Sequence, residues 1–207
     1  MQQAPPKQRF STDTRQTEIV TAVLALAAQR SPASITTGDI AGALGLTQGA
    51  VFKHFPTKDA IWLAVMVWVE HHLLSTLETA GRDAPDAWAG LGAVFRAHIL
   101  FVMQYPGVPR LIFSELQQAD DTPVKMQVRS LLMRYRTLLM SLLNAVEAAG
   151  RLGAGVDKAA AASLFIGSVQ GLVMQSMLAG SCDQMAVAAD GAFPLYLRAI
   201  GVLGESV

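Results

Sequence analysis

The stretch ITTGDIAGALGLTQGAVFKHFPTK, Ile35 to Lys58, decides the fold. Thr36, with Asp39 three residues on, has the form of a capping box that opens a helix. Ile40, Ala41 and Leu44 give that helix one apolar side. Gly45 supplies the left-handed residue at which the chain reverses, and Leu46 returns to the core. Thr47 then caps a second helix through Ala50, Val51, Phe52 and His54. Two helices joined by a tight glycine-containing turn make a shape whose second member fits a DNA major groove, which is about 12 Å wide.

Outward from this stretch the pattern stays helical. Upstream, Ile19, Val20, Val23, Leu24, Leu26 and Ala27 recur at helical spacing between Asp13 and Gln29, predicting a first helix that covers the pair. Ser31-Pro32-Ala33-Ser34 ends it. MQQAPPKQRF lacks the long apolar core of a secretory signal and is read as a loose tail, so the protein is expected to be cytoplasmic. Downstream, Thr57 caps a fourth helix to about Ala80. Its run from Ile61 to Val69 is apolar on every side, which predicts burial from two directions and is too short to cross a bilayer.

The body continues with Trp88 to Gln104, a break at Pro106-Gly107-Val108-Pro109, and Arg110 to Gln118. Thr122-Pro123 opens a long helix that Gly150 stops, and Asp157 opens another that Gly180 closes. A last helix occupies part of Gln184 to Leu203, with Gly191 and Pro194 obscuring its start.

Of the 207 residues 52% are hydrophobic and 15% charged, more apolar surface than a monomer of this size usually hides, which points to self-association. Net charge is zero, but the first sixty residues set Lys7, Arg9, Arg15, Arg30, Lys53 and Lys58 against Asp13, Glu18, Asp39 and Asp59. A mildly basic front end suits a DNA reader with a different kind of body. Cys182 is the single cysteine, so no intrachain disulfide or cysteine metal cluster forms, and it is taken as structural. No phosphate loop, nucleophile elbow or metal-spaced His pair is present; Glu70 with His71 is read as an exposed pair, His71 and His72 as facing different ways. The protein is therefore not expected to be an enzyme or to need a cofactor or metal.

LGLTQGAVFKHFPTKDAIW closely resembles the recognition region of the tetracycline-repressor (TetR) family of bacterial transcription factors, with a match specific over residues 14–66. The resemblance implies an all-α protein: a helix-turn-helix DNA-binding domain at 13–58 after a tail at 1–12, and a helical ligand-binding and dimerisation domain at 59–207. It implies a regulator, most simply a repressor released from a palindromic operator by a hydrophobic small-molecule inducer, with the fourth helix coupling ligand site to DNA head. An activator or protein-partner-controlled regulator, or a helical enzyme or lipid carrier retaining the fold, are the alternatives.

Carried over position by position, Gln48, Gly49 and Ala50 are base readers, and Thr37, Lys53, His54 and Lys58 phosphate contacts. Gln48 has the paired donor and acceptor an adenine edge needs, and the Ala50 methyl suits thymine. Phe52 belongs to the same face but stands where many relatives have a phosphate-bonding Tyr. Gly38 stands where some carry a basic reader. Relatives also have an aromatic near Ala27, so this head is expected to lean harder on Phe52 and Phe55. If Arg15, Lys53 and Lys58 each neutralise one phosphate, a dimer should show a salt slope of about −5.

In the body, Phe95, His98, Val102, Phe113, Met133, Gln170 and Met174 mix large apolar groups with a few polar ones and are the candidates for lining a ligand cavity, with Tyr105 to Glu115 along one wall. Residues 159–182 carry no charge and contain Gly167-x-x-x-Gly171. Such a run suits either a membrane span with a glycine face or a helix buried between subunits. Ser163, Ser168, Gln170, Gln175 and Ser176 favour the second, so a homodimer off the membrane is expected, and the TetR resemblance implies pairing through the last two long helices.

Overall fold

The computed structural model describes residues 12–201. Residues 1–11, holding nearly all of the tail, and the end of the last expected helix at Leu203 lie outside the described residues. The elements are α1 (Thr12–Gln29), a 3-10 turn (Pro32–Ser34), α2 (Thr37–Ala43), α3 (Gln48–Phe52), α4 (Lys58–Asp83), α5 (Ala87–Gln104), α6 (Gly107–Leu116), α7 (Pro123–Ala148), α8 (Lys158–Ala179) and α9 (Met185–Ile200). Among the described residues there is no strand, only an isolated antiparallel bridge between Leu152 and Gly201.

The helix ends follow local chemistry. At α2, Thr36 Oγ1 accepts from the Asp39 amide and the Asp39 carboxylate accepts from the Thr36 amide, the full capping box. The Thr36 hydroxyl, which donates to the Asp39 carboxylate at 2.7 Å, followed by the Thr36 amide and by Arg30 alongside, holds that carboxyl down at about 2. Gly45 turns the chain at φ 63°, while the Leu46 amide reaches the Ala41 carbonyl and the Gly45 amide that of Gly42, a Schellman stop. Thr47, Thr57, Asp86, Thr122 and Asp157 each accept from a backbone amide of the helix they open.

α1, α2 and α3 form a small head around Ile19, Val23, Ile35, Ile40, Val51 and Phe55, all buried. α4 packs on α1 as well as on α5 and α7, so one long helix belongs to both head and body. In the body Phe165 of α8 meets Phe95 of α5 and Phe193 and Tyr196 of α9 edge to face, while Phe193 lies stacked with Tyr196.

Several expectations are corrected. The break expected at Pro106-Gly107-Val108-Pro109 is present but shorter: only Tyr105 and Pro106 separate α5 from α6, which begins at Gly107, because Pro109 in the first turn withholds only an amide that has no partner there. Val67 faces outward, so the early part of α4 is not buried all round. Glu70 is 6% exposed rather than an exposed partner of His71. It bridges to α7, accepting from Gln127, from Ser130 Oγ at 3.3 Å and from Arg134 Nη1 at 2.9 Å, which satisfies a carboxylate that burial alone would penalise. The His71 and His72 rings meet edge-on at 5.2 Å, and His72 stacks on Trp68 at 3.9 Å.

α4, α5 and α8 are long and apolar enough to cross a membrane, α8 at a mean hydropathy of 1.4. In this fold they pack instead against one another and their neighbours through Leu73, Leu77, Leu91, Phe95, Phe165 and Val169.

Candidate nucleic-acid interface and ligand cavity

α3 is a five-residue helix held from behind by Val51 and Phe55, with its front open. Gln48, Gly49 and Lys53 are exposed, Ala50 half-buried, and no atom would meet a Cβ added at Gly49 within 4 Å. Thr37 opens α2 beside them, half-buried. His54 closes the turn after α3; its carbonyl accepts from Gln16 of α1 at 3.3 Å, and its Nδ1 is buried with no partner among the described residues. Lys58 starts α4 with its ammonium 5.4 Å from the Trp62 ring centre.

Two expectations about the head change. Phe52 is 43% exposed at the end of α3 and adds little to the head core, whereas Phe55 is buried in it. Ala27, where relatives carry an aromatic, is fully buried beneath α6: a Cβ placed on Gly107 would lie 3.1 Å from the Ala27 methyl and 2.3 Å from the Leu24 carbonyl. Two small residues thus let α6 sit directly on α1. This contact ties the head to the body independently of α4, and sequence reading missed it. Arg15 pairs with Glu18 at 2.5 Å and is not an open cation for phosphate. With Lys53 and Lys58 alone the dimer slope expected becomes about −4.

Among the body candidates, His98, Val102, Phe113 and Gln170 line one cavity of about 110 Å³, with Leu73 of α4, Val108, Pro109 and Ile112 of α6, and Tyr135 of α7. No Asp, Glu, Lys or Arg lines it. His98 Nδ1 lies 3.1 Å from the Tyr135 hydroxyl, and burial pushes the imidazole down to about 4, so the pair is neutral near pH 7. Phe95 is in the aromatic cluster instead. Met133, 66% exposed, and Met174 point out of the body and do not line this cavity. α8 is apolar on most sides, so periodicity could not say which methionine faced inward.

On its outer face α8 shows Leu164, Gly167, Gly171, Met174 and Leu178 at helical spacing, and α9 adds Val187 and Leu195. Nothing meets a Cβ added at Gly167 or Gly171 within 4 Å, so both leave an open strip rather than fit an internal neighbour.

Residues 19–65 match the model for bacterial regulatory proteins of the tetR family. The helix-turn-helix head is thus of the tetR kind. The chain joins this helix-turn-helix head to a helical body. The nucleoid occlusion factor SlmA of Shewanella sp. (strain W3-18-1) is 23% identical over 141 residues, 68% of this chain and 72% of that protein. A TetR-family regulator from Agrobacterium tumefaciens superimposes with a TM-score of 0.79 at 19% identity, covering 92% of this chain and 100% of that one. FadR of Bacillus subtilis, solved with stearoyl-CoA, gives 0.76 at 16% identity over 87% and 97%.

Proposed function

We propose that this chain acts in the cytoplasm as a homodimeric repressor of the TetR type, released from a palindromic operator when a hydrophobic small molecule fills the cavity between α5, α6, α7 and α8. The head at 13–58 reads DNA and the remainder pairs and senses. Gln48, Gly49 and Ala50 address base edges, and Thr37, Lys53, His54 and Lys58 the phosphates beside them. Two such heads, related by the pairing of α8 and α9, enter successive major grooves roughly 34 Å apart.

The observation that carries the reading is the double duty of α6. Ile112 and Phe113 line the cavity while Gly107, in the same helix, is seated on α1 of the head. A ligand that moves α6 therefore moves the head. The lining supports an uncharged ligand, with His98, Tyr135 and Gln170 able to bond one polar group. An apolar cavity of about 150 Å³ can hold benzene, and this one is smaller at about 110 Å³, so a ring-sized ligand has to push its lining, α6 included, apart.

Binding energies must be reciprocal. Operator affinity measured with and without a ring-sized ligand identified by thermal shift, and ligand affinity with and without operator, should change by the same factor, roughly 5 to 150-fold. Equal ligand affinity for free and operator-bound protein would remove induction from the account.

A second reading, control by a protein partner, draws on the cavity's size, well below the roughly 300–1,000 Å³ of drug-sized sites, and on the similarity to SlmA.

A further inference from the structure

Gly38, the second residue of α2, faces the side chain of Gln48 across the helix-turn-helix. A Cβ added at Gly38 would come within 2.8 Å of Gln48 Nε2 and 3.8 Å of its Cδ, with Thr36 Oγ1 at 3.5 Å on the other side. The Gln48 amide therefore lies folded back over a helix that carries no side chain at this point. Among the described residues it makes no hydrogen bond within the chain, which leaves its donor and acceptor free for a base edge.

We propose that Gly38 is a positioning residue for DNA specificity: by leaving its place empty it provides the seat from which the Gln48 amide addresses one base pair. This rests on α3 being the reading helix. Any residue with a Cβ at 38 pushes the amide outward and rotates its donor and acceptor relative to the groove floor. The displaced atoms are the far end of a flexible side chain, so the head folds as before and α2 loses only a poor helix former. A change at 38 thus acts on specificity through 48 and not on stability.

The test is selection of duplexes from a randomised pool by wild type, Gly38→Ala, Gln48→Ala and the double variant, with thermal melting confirming each fold. Gly38→Ala should change the preferred-to-next base ratio about tenfold, at the same half-site position that Gln48→Ala alters. In the Gln48→Ala background Gly38→Ala should add nothing. Unchanged preference in Gly38→Ala, an equal effect of it with and without Gln48, or a Gln48→Ala variant that selects like wild type each overturns the proposal while leaving DNA reading intact. A wild-type protein that enriches no sequence overturns both.

Discussion

Replacing Gly107 with alanine is expected to lower stability by about 1–3 kcal/mol, the usual range for overpacking a close seam, and to weaken specific DNA binding at the same time. The methyl would stand 2.3 Å from the Leu24 carbonyl and 3.0 Å from the Ala28 amide. Both are backbone atoms of α1, so no rotamer change relieves the clash, and α6 and α1 must separate. At roughly 2–4 °C per kcal/mol for a chain of this size, melting should fall by several degrees. Separation also frees the head from the helix that lines the cavity, so whatever operator binding remains should respond less to ligand. Gly42→Ala is the control, since a Cβ there meets nothing within 4 Å and the substitution favours the helix. Melting and operator affinity equal to wild type in Gly107→Ala would show that the α1–α6 seam is not as close as described.

The second large effect concerns pairing. Leu178 is 81% exposed and Leu164 50%, both on the outer strip of α8 with Gly167 and Gly171 between them. Leucines this open contribute little to the protomer, so Leu164→Asp with Leu178→Asp should spare folding and bury charge in the partner contact. A monomeric mass is expected by sedimentation. Losing the second head should then cut operator affinity by roughly 10²–10⁴, the usual gain from two linked sites. A doubly substituted protein that remains dimeric would move the interface elsewhere on the body.

What could be seen in the sequence was mostly punctuation. Thr36 with Asp39, Gly45, Thr47, Thr57, Thr122-Pro123, Asp157 and Gly180 act within four or five residues, so each helix end they mark could be read without knowing the fold. What escaped depends on residues far apart in the chain. Nothing near Glu70 announces that Gln127, Ser130 and Arg134 will cover it. Nothing near Gly107 announces Leu24. The missing aromatic at Ala27 was visible, but its meaning, room for α6, was not. Met133 and Met174 failed as cavity candidates because composition names residue types and not directions. Arg15 was different: Glu18 three residues on was a visible partner, and spacing could have discounted that cation.

The central claim is that α3, exposed on a paired body, reads DNA with Lys53 and Lys58 holding the phosphates. Fluorescence anisotropy of wild type on a selected palindromic duplex, followed from about 50 to 200 mM salt, tests it most directly. The account predicts binding far tighter than to a scrambled duplex, with log K falling against log salt at a slope of about −4. A slope near zero, or equal affinity for the scrambled duplex at every salt concentration, would contradict it.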